Sequence, residues 1–311
     1  MCTKIFHNCN SFEFLPQFLS ISQLNYARKM EKIRPGKFYE VAFKICPVLA
    51  LIFSLLVTIT TLYLNEGLSL IFIFISIQVY LNWYSICKIS SNARTMRDNY
   101  TKNDNIASVA IRITQEEDSG TKLKYWYCEY CTCYTYRPTQ HCRACKKCFH
   151  YRDHHCFFIG GCILQLNMGN FILICFYTSL ACCYSSTIIG PHIYDSLSEI
   201  IGEKSSYINI FLNFCFPVAF ARFLITGQGT CLFLIILFNS LISVSIVCFL
   251  YGSWKLFCCL SGKQRYYPHV ARRVELKEIF GSYGIWNFIF PYNGLLGLGD
   301  LNGKYSGDGV K

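Results

Sequence analysis

Charge is scarce in this chain. Asp, Glu, Lys and Arg make up 15% of its 311 residues, against 53% hydrophobic and 17% aromatic, with a mean hydropathy of +0.30. That balance excludes an ordinary soluble domain and points to a membrane protein. Acidic residues are the scarcer sign, 18 against 29 basic, which leaves a formal net charge of +11. Such an excess raises nucleic acid as a partner. Here, however, the basic residues flank apolar stretches, as they do in membrane proteins of defined orientation, and a nucleic-acid-binding zinc finger has no use for apolar spans, so no nucleic acid is expected. Inside the four apolar stretches Lys44 is the only charge, and it is close enough to one end to snorkel. Spans without interior charge argue against a transporter or channel. Residues 1–40 lack an uninterrupted apolar core and a small-residue cleavage site, so no signal peptide is expected. Gly does not follow Met1, so myristoylation is not indicated. Internal repeats and low-complexity runs are also missing.

What the chain does have is length enough to cross a bilayer several times. A helix needs about 20 apolar residues to cross the hydrocarbon core. Val41–Leu64 and Leu68–Cys87 meet that requirement and are joined by the turn Asn65-Glu66-Gly67, with Trp83 and Tyr84 as interface anchors. Gly169–Gly190 and Thr230–Tyr251 are the third and fourth spans. Tyr207–Thr226 is apolar but holds Pro217 and Arg222, and is open to three readings: a fifth span, a re-entrant segment or a lumenal interfacial helix. Lys and Arg number seven in residues 1–44, 12 in 88–168, two in 190–229 and eight in 252–311. Four spans put every basic-rich segment on the cytosolic side, and a fifth would put the basic tail on the wrong side.

The expected fold is therefore an α-helical polytopic membrane protein. Residues 1–40 form a cytosolic N-terminal segment, 41–87 a transmembrane hairpin, and 88–168 a cytosolic linker and loop-rich zinc-binding domain between helices 2 and 3. Residues 169–251 form transmembrane helices 3 and 4 with a lumenal loop, and 252–311 a cytosolic tail. The linker carries an acidic knot at Glu116-Glu117-Asp118. The tail begins with Trp254 and Lys255, followed by Cys258 and Cys259, two juxtamembrane thiols open to palmitoylation of the protein itself.

Cysteine is concentrated in one place. Residues 128–162 read C-x2-C-x9-H-C-x2-C-x2-C-x4-D-H-H-C-x5-C and hold eight of the 20 cysteines and four of the seven histidines. Thiolate and imidazole are preferred zinc ligands, and paired C-x2-C spacings let two sulfurs reach one tetrahedral ion. Disulfides need an oxidising compartment, whereas the charge distribution puts this stretch in the cytosol. Little apolar sequence is available for a core there, so metal must hold it together. Two tetrahedral sites use eight ligands, and the stretch offers twelve Cys and His. Among the surplus is Asp153-His154-His155-Cys156. Asp-His beside Cys supplies a base and a group to orient it, as in a triad. Cys156 as a further ligand or a spare thiol stays open on spacing.

This spacing and the Asp-His-His-Cys tetrad resemble the cysteine-rich domain of the DHHC-type protein S-acyltransferases. The resemblance implies two interleaved structural Zn2+ sites: Cys128, Cys131, His141 and Cys148 in one, Cys142, Cys145, His155 and Cys162 in the other. It implies that Cys156 carries the acyl group, with His154 as base and Asp153 holding His154. Cys133 and His150 match no ligand position. The implied activity is palmitoyl transfer from acyl-CoA to cysteine thiols of membrane-associated proteins on the cytosolic side. The implied location is the Golgi or endoplasmic reticulum membrane. Lys146, Lys147 and Arg152 are candidates for the CoA phosphates, and the small Ala181, deep on the third span, for the floor of an acyl cavity.

The match has departures. The family usually has Trp where Phe158 stands, Asn at Gly161 and Gly at Leu164, and the run before the His-Cys pair, Arg137-Pro138-Thr139-Gln140, lacks its second arginine. No Thr-Thr-x-Glu motif follows the last span. Ile279-Phe280-Gly281 and Trp286-Asn287-Phe288 resemble the family's aromatic C-terminal motif, with Glu275 where Asn is usual. These departures motivate the alternative function, a zinc-stabilised membrane scaffold that is catalytically weak or inactive and binds protein partners.

Overall fold

The computed structural model describes residues 37–93, 125–201, 207–264 and 275–290, with short gaps at 66, 68, 129, 132, 137–138, 228–231 and 282–285. The N-terminal segment up to residue 36, the linker with its acidic knot, and the Arg137-Pro138 pair lie outside the described residues. Ala42–Lys311 form one unit; the other, Met1–Val41, contributes only the first turn of the first helix to the described residues.

Four helices carry the architecture: α1 (Lys37–Leu64), α2 (Leu70–Asn92), α3 (Met168–Ile201) and, after two short helices, α6 (Leu232–Leu260). All four are long and apolar enough to cross a membrane. Many large apolar side chains on them face outward, among them Ile59 at 66% and Val247 at 64% exposure. Water would penalise such a surface and lipid favours it, and a helix satisfies its own backbone in lipid. This is a multi-pass membrane protein.

With lipid outside and apolar side chains throughout, small and polar groups hold the helices to one another. Thr61 of α1 donates to Ser185 of α3 at 2.8 Å, and Ser179 of α3 meets Ser245 of α6 at 3.1 Å. Asn170 of α3 donates to Asn82 of α2 at 3.1 Å. The Ser69 hydroxyl accepts from the Phe72 amide at 3.3 Å and fixes the start of α2.

Two short helices, α4 (Tyr207–Asn213) and α5 (Phe216–Thr226), join α3 to α6. Neither is long enough to span a bilayer, because 11 residues reach only about 17 Å. Pro217 sits in the first turn of α5, where its missing N–H costs nothing. At the other end the tail supplies α7 (Leu276–Phe280) and α8 (Trp286–Ile289). Ile279 and Phe280 are buried in the same apolar cluster as Met168 and Phe171. Gly169 makes this possible, since a Cβ there would run into the Ile279 carbonyl. Gln78 of α2 and Tyr177 of α3 donate to the carbonyls of Ile289 and Phe288, so the aromatic tail segment is pinned to both helices.

Among the described residues between α2 and α3 lie three small antiparallel hairpins: β1 (Tyr125–Cys128) with β2 (Cys133–Tyr136), β3 (Gln140–Cys142) with β4 (Lys147–Phe149), and β5 (Arg152–Cys156) with β6 (Gly161–Leu164). An isolated two-stranded hairpin is marginal in water, so these need another bond to hold them. From β6 the chain enters α3 with almost no linker. Asn167, fully buried, accepts from the Leu164 amide at 2.7 Å and donates to the Cys162 carbonyl at 3.0 Å.

Candidate active site

Hairpin register builds two Cys/His sets by one rule. His141 on β3 lies directly across from Cys148 on β4, and His155 on β5 directly across from Cys162 on β6. Each cross-strand pair meets a C-x2-C turn from earlier in the chain. Cys128 and Cys131 join the first pair, Cys142 and Cys145 the second. In each set the four ligand atoms lie within 4.8 Å of one another. His141 Nδ1 is 3.5, 3.3 and 3.6 Å from the sulfurs of Cys128, Cys131 and Cys148. His155 Nδ1 is 3.6, 3.4 and 3.7 Å from those of Cys142, Cys145 and Cys162. Sulfur–sulfur separations of 3.6 Å, Cys131 to Cys148 and Cys145 to Cys162, are far beyond a disulfide bond of about 2.05 Å.

The protonation balance of these thiols favours a cation. The hydrogen bond from Cys148 holds the Cys128 thiol down to about 4, and those from Cys145 and Cys162 hold Cys142 well below the ordinary thiol range. Once these are thiolates, their hydrogen-bonded partners are driven the other way, Cys145 up to about 11 and Cys148 and Cys162 far above the ordinary range. Protons alone leave three neighbouring thiols competing for one negative charge. A bound metal ion lets all three ionise together. Either set could hold one.

Cys133 is in β2, across from Cys128; its side chain lies outside the described residues. His150 belongs to neither set. It is within 3.1 Å of the Thr139 hydroxyl, and burial lowers its imidazole to about 4.

The Asp-His-His-Cys tetrad occupies β5. Side chains alternate along a strand, so His154 and Cys156 share one face while His155 points to the other, toward its Cys/His set. Strict alternation would also send Asp153 away from His154. The register shifts between Arg152 and His154, leaving Asp153 as the extra residue of a bulge. Its carboxylate thereby reaches His154 Nδ1 at 2.7 Å. Asp153 is 4% exposed. Burial raises its carboxyl, but hydrogen bonds from His154 and Lys255 together with their charge outweigh that, holding it below the ordinary carboxylate range.

Cys156 packs against an apolar cluster drawn from α2, α3 and α6. Burial pushes its thiol up, partly offset by the backbone N–H groups of Ile159 and Phe158. The loop that follows is held by the first two helices. Trp83 Nε1 donates to the Ile159 carbonyl at 3.2 Å. Phe43 stacks on Phe157 at 4.5 Å and meets the edge of His155 at 4.9 Å. Gly160 closes the loop on Cys156 at 2.9 Å with φ +76°, and a Cβ there would be 2.8 Å from Pro47 of α1. Both the left-handed backbone and the contact call for glycine. Phe158, where the family usually has Trp, is 68% exposed.

Residues 121–267 match the DHHC palmitoyltransferase family. Over that stretch, just under half of its length, the chain is similar to that family. Palmitoyltransferase ZDHHC22 of Mus musculus is 31% identical over 163 residues, covering 50% of this chain and 60% of that protein. Its counterpart in Rattus norvegicus is 32% identical over the same shares. Probable protein S-acyltransferase 6 of Arabidopsis thaliana is 40% identical over 75 residues, 24% of this chain and 18% of that protein. The chain thus matches 60% of the length of its rodent relatives.

One residue of this site goes unnoticed in the sequence. Hydropathy ends the last span at Tyr251 and hands Lys255 to the tail. The helix in fact runs on to Leu260, and Lys255 Nζ lies 2.5 Å from Asp153 Oδ2. A single Lys one turn beyond Tyr251, beside Trp254, is the only trace of this in the sequence. Of the other expected residues, Lys146 and Lys147 are exposed, Arg152 and Ala181 are half-buried, and Cys259 is buried at 3% with the Gln264 amide on its sulfur at 2.7 Å.

Proposed function

We propose that this protein is a protein S-acyltransferase of the endomembrane system, in the Golgi or endoplasmic reticulum, with its cysteine-rich hairpins on the cytosolic side. Cys156 attacks the thioester carbonyl of palmitoyl-CoA as its S–H proton passes to His154 Nε2, and His154 returns that proton to the departing coenzyme A thiolate. A cysteine thiol of a membrane-associated protein then attacks the Cys156 thioester, giving its proton to the same base, which passes it to the released Cys156 thiolate. The carrying observation is the bulged β5 strand, which sets Asp153 on His154 and turns Cys156 to the same face, outside both Cys/His sets. A buried thiol whose ionisation is suppressed needs a base, and His154, oriented through Nδ1, is the candidate.

The Cys156 neighbourhood also suits a fatty chain. Exposing one to water costs about 0.8 kcal/mol per CH2, and Cys156 borders apolar side chains of α2, α3 and α6. Ala181, on the same α3, is the candidate for the floor of the acyl site. Lys146 and Lys147 are exposed and Arg152 is half-buried on adjoining strands, suiting the CoA phosphates. In both Cys/His sets the observed separations fit the edges of a zinc tetrahedron, about 3.8 Å between sulfurs and about 3.6 Å from sulfur to nitrogen for bonds of about 2.3 and 2.0–2.1 Å. Zinc held this way is structural: it fixes thiolates and cross-links hairpins too small to fold alone.

The test is labelling of the purified protein with palmitoyl-CoA followed by hydroxylamine release. Wild type should carry a hydroxylamine-labile label; Cys156→Ser should carry none while retaining both metal ions. Loss of an ion in that variant would make Cys156 a ligand and sink the mechanism. An unlabelled wild type with both ions bound would leave the scaffold alternative.

A further inference from the structure

We infer that Lys255, near the end of the last span, is a positioning residue for acyl transfer: it holds the Asp153 carboxylate in the place from which that carboxylate orients His154. The inference rests on the roles proposed above for Asp153, His154 and Cys156.

The geometry is that of a buried, shared contact. Lys255 and Asp153 are 6% and 4% exposed, and lie 102 positions apart in sequence. Lys255 Nζ is 2.5 Å from Asp153 Oδ2, the same oxygen that takes His154 Nδ1 at 2.7 Å. The ammonium also lies 5.1 Å from the centre of the Trp254 ring and 5.8 Å from that of Tyr251. Aromatic faces and one carboxylate therefore stand where an exposed lysine would have water. The turn that carries it is tied down from beyond the helix. Gln264 Nε2 donates to the Lys255 carbonyl at 3.4 Å and to Cys259 Sγ at 2.7 Å.

The consequence follows from what each donor brings. Asp153 must accept the Nδ1 proton for His154 to keep Nε2 toward the thiol. A carboxylate this deep needs a full countercharge, since an unpaired buried ion is strongly destabilising. Lys255 is the countercharge among the described residues whose contact is with that very oxygen. It also ties β5 to α6, so the catalytic hairpin and the last span cannot shift independently. This separates it from a surface ion pair, which does little.

The experiment compares wild type, Lys255→Met, Lys255→Arg, Asp153→Asn and the double variant Asp153→Asn/Lys255→Met. It measures the rate of Cys156 loading from palmitoyl-CoA and metal content. Methionine keeps the apolar stem against Tyr251 and Trp254 and removes the charge. Loss of an orienting carboxylate costs up to about 10⁴-fold in a triad, and a group acting through it should cost less. Lys255→Met should lower the maximal loading rate about 10- to 100-fold, change the half-saturating palmitoyl-CoA concentration less than about threefold and keep both ions. Lys255→Arg should recover most of the rate. The double variant should load no more slowly than Asp153→Asn alone, because the two residues act as one unit. Should Lys255→Met lose metal, the double variant decides, as it buries no unpaired charge: it should regain both ions and match Asp153→Asn. A wild-type rate in Lys255→Met, or a loss that multiplies with that of Asp153→Asn, overturns the inference. Wild type without Cys156-dependent loading overturns the acyltransferase reading itself and this role with it.

Discussion

The set formed by Cys128, Cys131, His141 and Cys148 and the set formed by Cys142, Cys145, His155 and Cys162 have the same donors, the same hairpin register and the same burial pattern. Their surroundings differ. The first has Tyr130 stacked on His141 at 4.9 Å, and that tyrosine is 58% exposed. The second is seated on the spans. Phe43 of α1 meets His155, Ser90 of α2 accepts from the Cys162 amide at 2.9 Å, and the Cys162 side chain is fully buried. Its His155 is also the immediate neighbour of His154 and Cys156 on β5. One ligand scheme therefore does two jobs. The outer set closes a hairpin module on itself, and the inner one fixes that module and the nucleophile to the membrane-spanning helices.

The comparison is tested first by removing one ligand from each set. Cys162→Ala should have the largest effect: one ion lost, β5–β6 released from α2, and no detectable palmitoyl label. Zinc in small modules contributes about 10–16 kcal/mol to folding, so little of the hairpin should survive. Cys128→Ala should also lose an ion, but only its own. It should keep a reduced label, about a tenth of wild type, because His155, His154 and Cys156 remain seated (a barrier rise of about 1.4 kcal/mol). Metal content by mass spectrometry beside hydroxylamine-labile label separates the outcomes. If Cys128→Ala loses both ions, the two sets fold as one unit and the distinction between them is wrong.

Which of this the sequence discloses depends on how far apart the partners lie. Apolar runs identify the four long helices because lipid demands composition and length, which are local properties. The cysteine-rich stretch discloses its chemistry for the same reason: ligand types and short spacings lie within 35 residues. The seat of the inner set is another matter. Ser90 is one serine among many, 72 positions from Cys162, and nothing near it marks it as an acceptor. Trp83 reads as an interface anchor, yet its indole N–H holds the loop after the nucleophile. The end of α6 is hidden for a different reason. Hydropathy falls after Tyr251, but no proline follows before Ser261-Gly262, and Gly252 stays within the helix, where a Cβ would be 2.9 Å from that of Cys175, so the backbone continues and carries Lys255 into the site. Tyr207–Thr226, open to three readings in sequence, forms two short helices, because the chain turns at Phe214-Cys215 ahead of Pro217.

Removing the seat without touching a ligand sharpens the comparison at smaller cost. In Ser90→Ala the Cys162 amide keeps its burial and loses its acceptor. An orphaned buried N–H costs about 1–3 kcal/mol. Both ions should stay bound at rest, but a chelator should strip the inner one about 5- to 150-fold faster than in wild type, with the outer one unchanged. Release that stays equal at the two sites would mean that α2 contributes nothing to holding the inner set.

The smallest effect is expected at Tyr130, the outer set's aromatic neighbour among the described residues. Tyr130 stacks on His141, and an aromatic pair adds about 0.5–1.5 kcal/mol beyond the area it buries. Here the lower end applies, since the ring is 58% exposed and water competes for its face. Tyr130→Leu should therefore speed chelator release from the outer site only about twofold and leave palmitoyl loading unchanged. Phe43→Leu, the corresponding change at the inner set, removes two ring contacts at once, the stack on Phe157 and the edge on His155. It should accelerate inner-site release more than Tyr130→Leu accelerates outer-site release, and should slow loading, because Phe157 follows Cys156 directly. Metal release and loading measured on both variants give the comparison its finest resolution. A tenfold acceleration in Tyr130→Leu would mean that the outer set leans on its aromatic cover as heavily as the inner set leans on the spans, and the difference between the two would then reduce to their distance from Cys156.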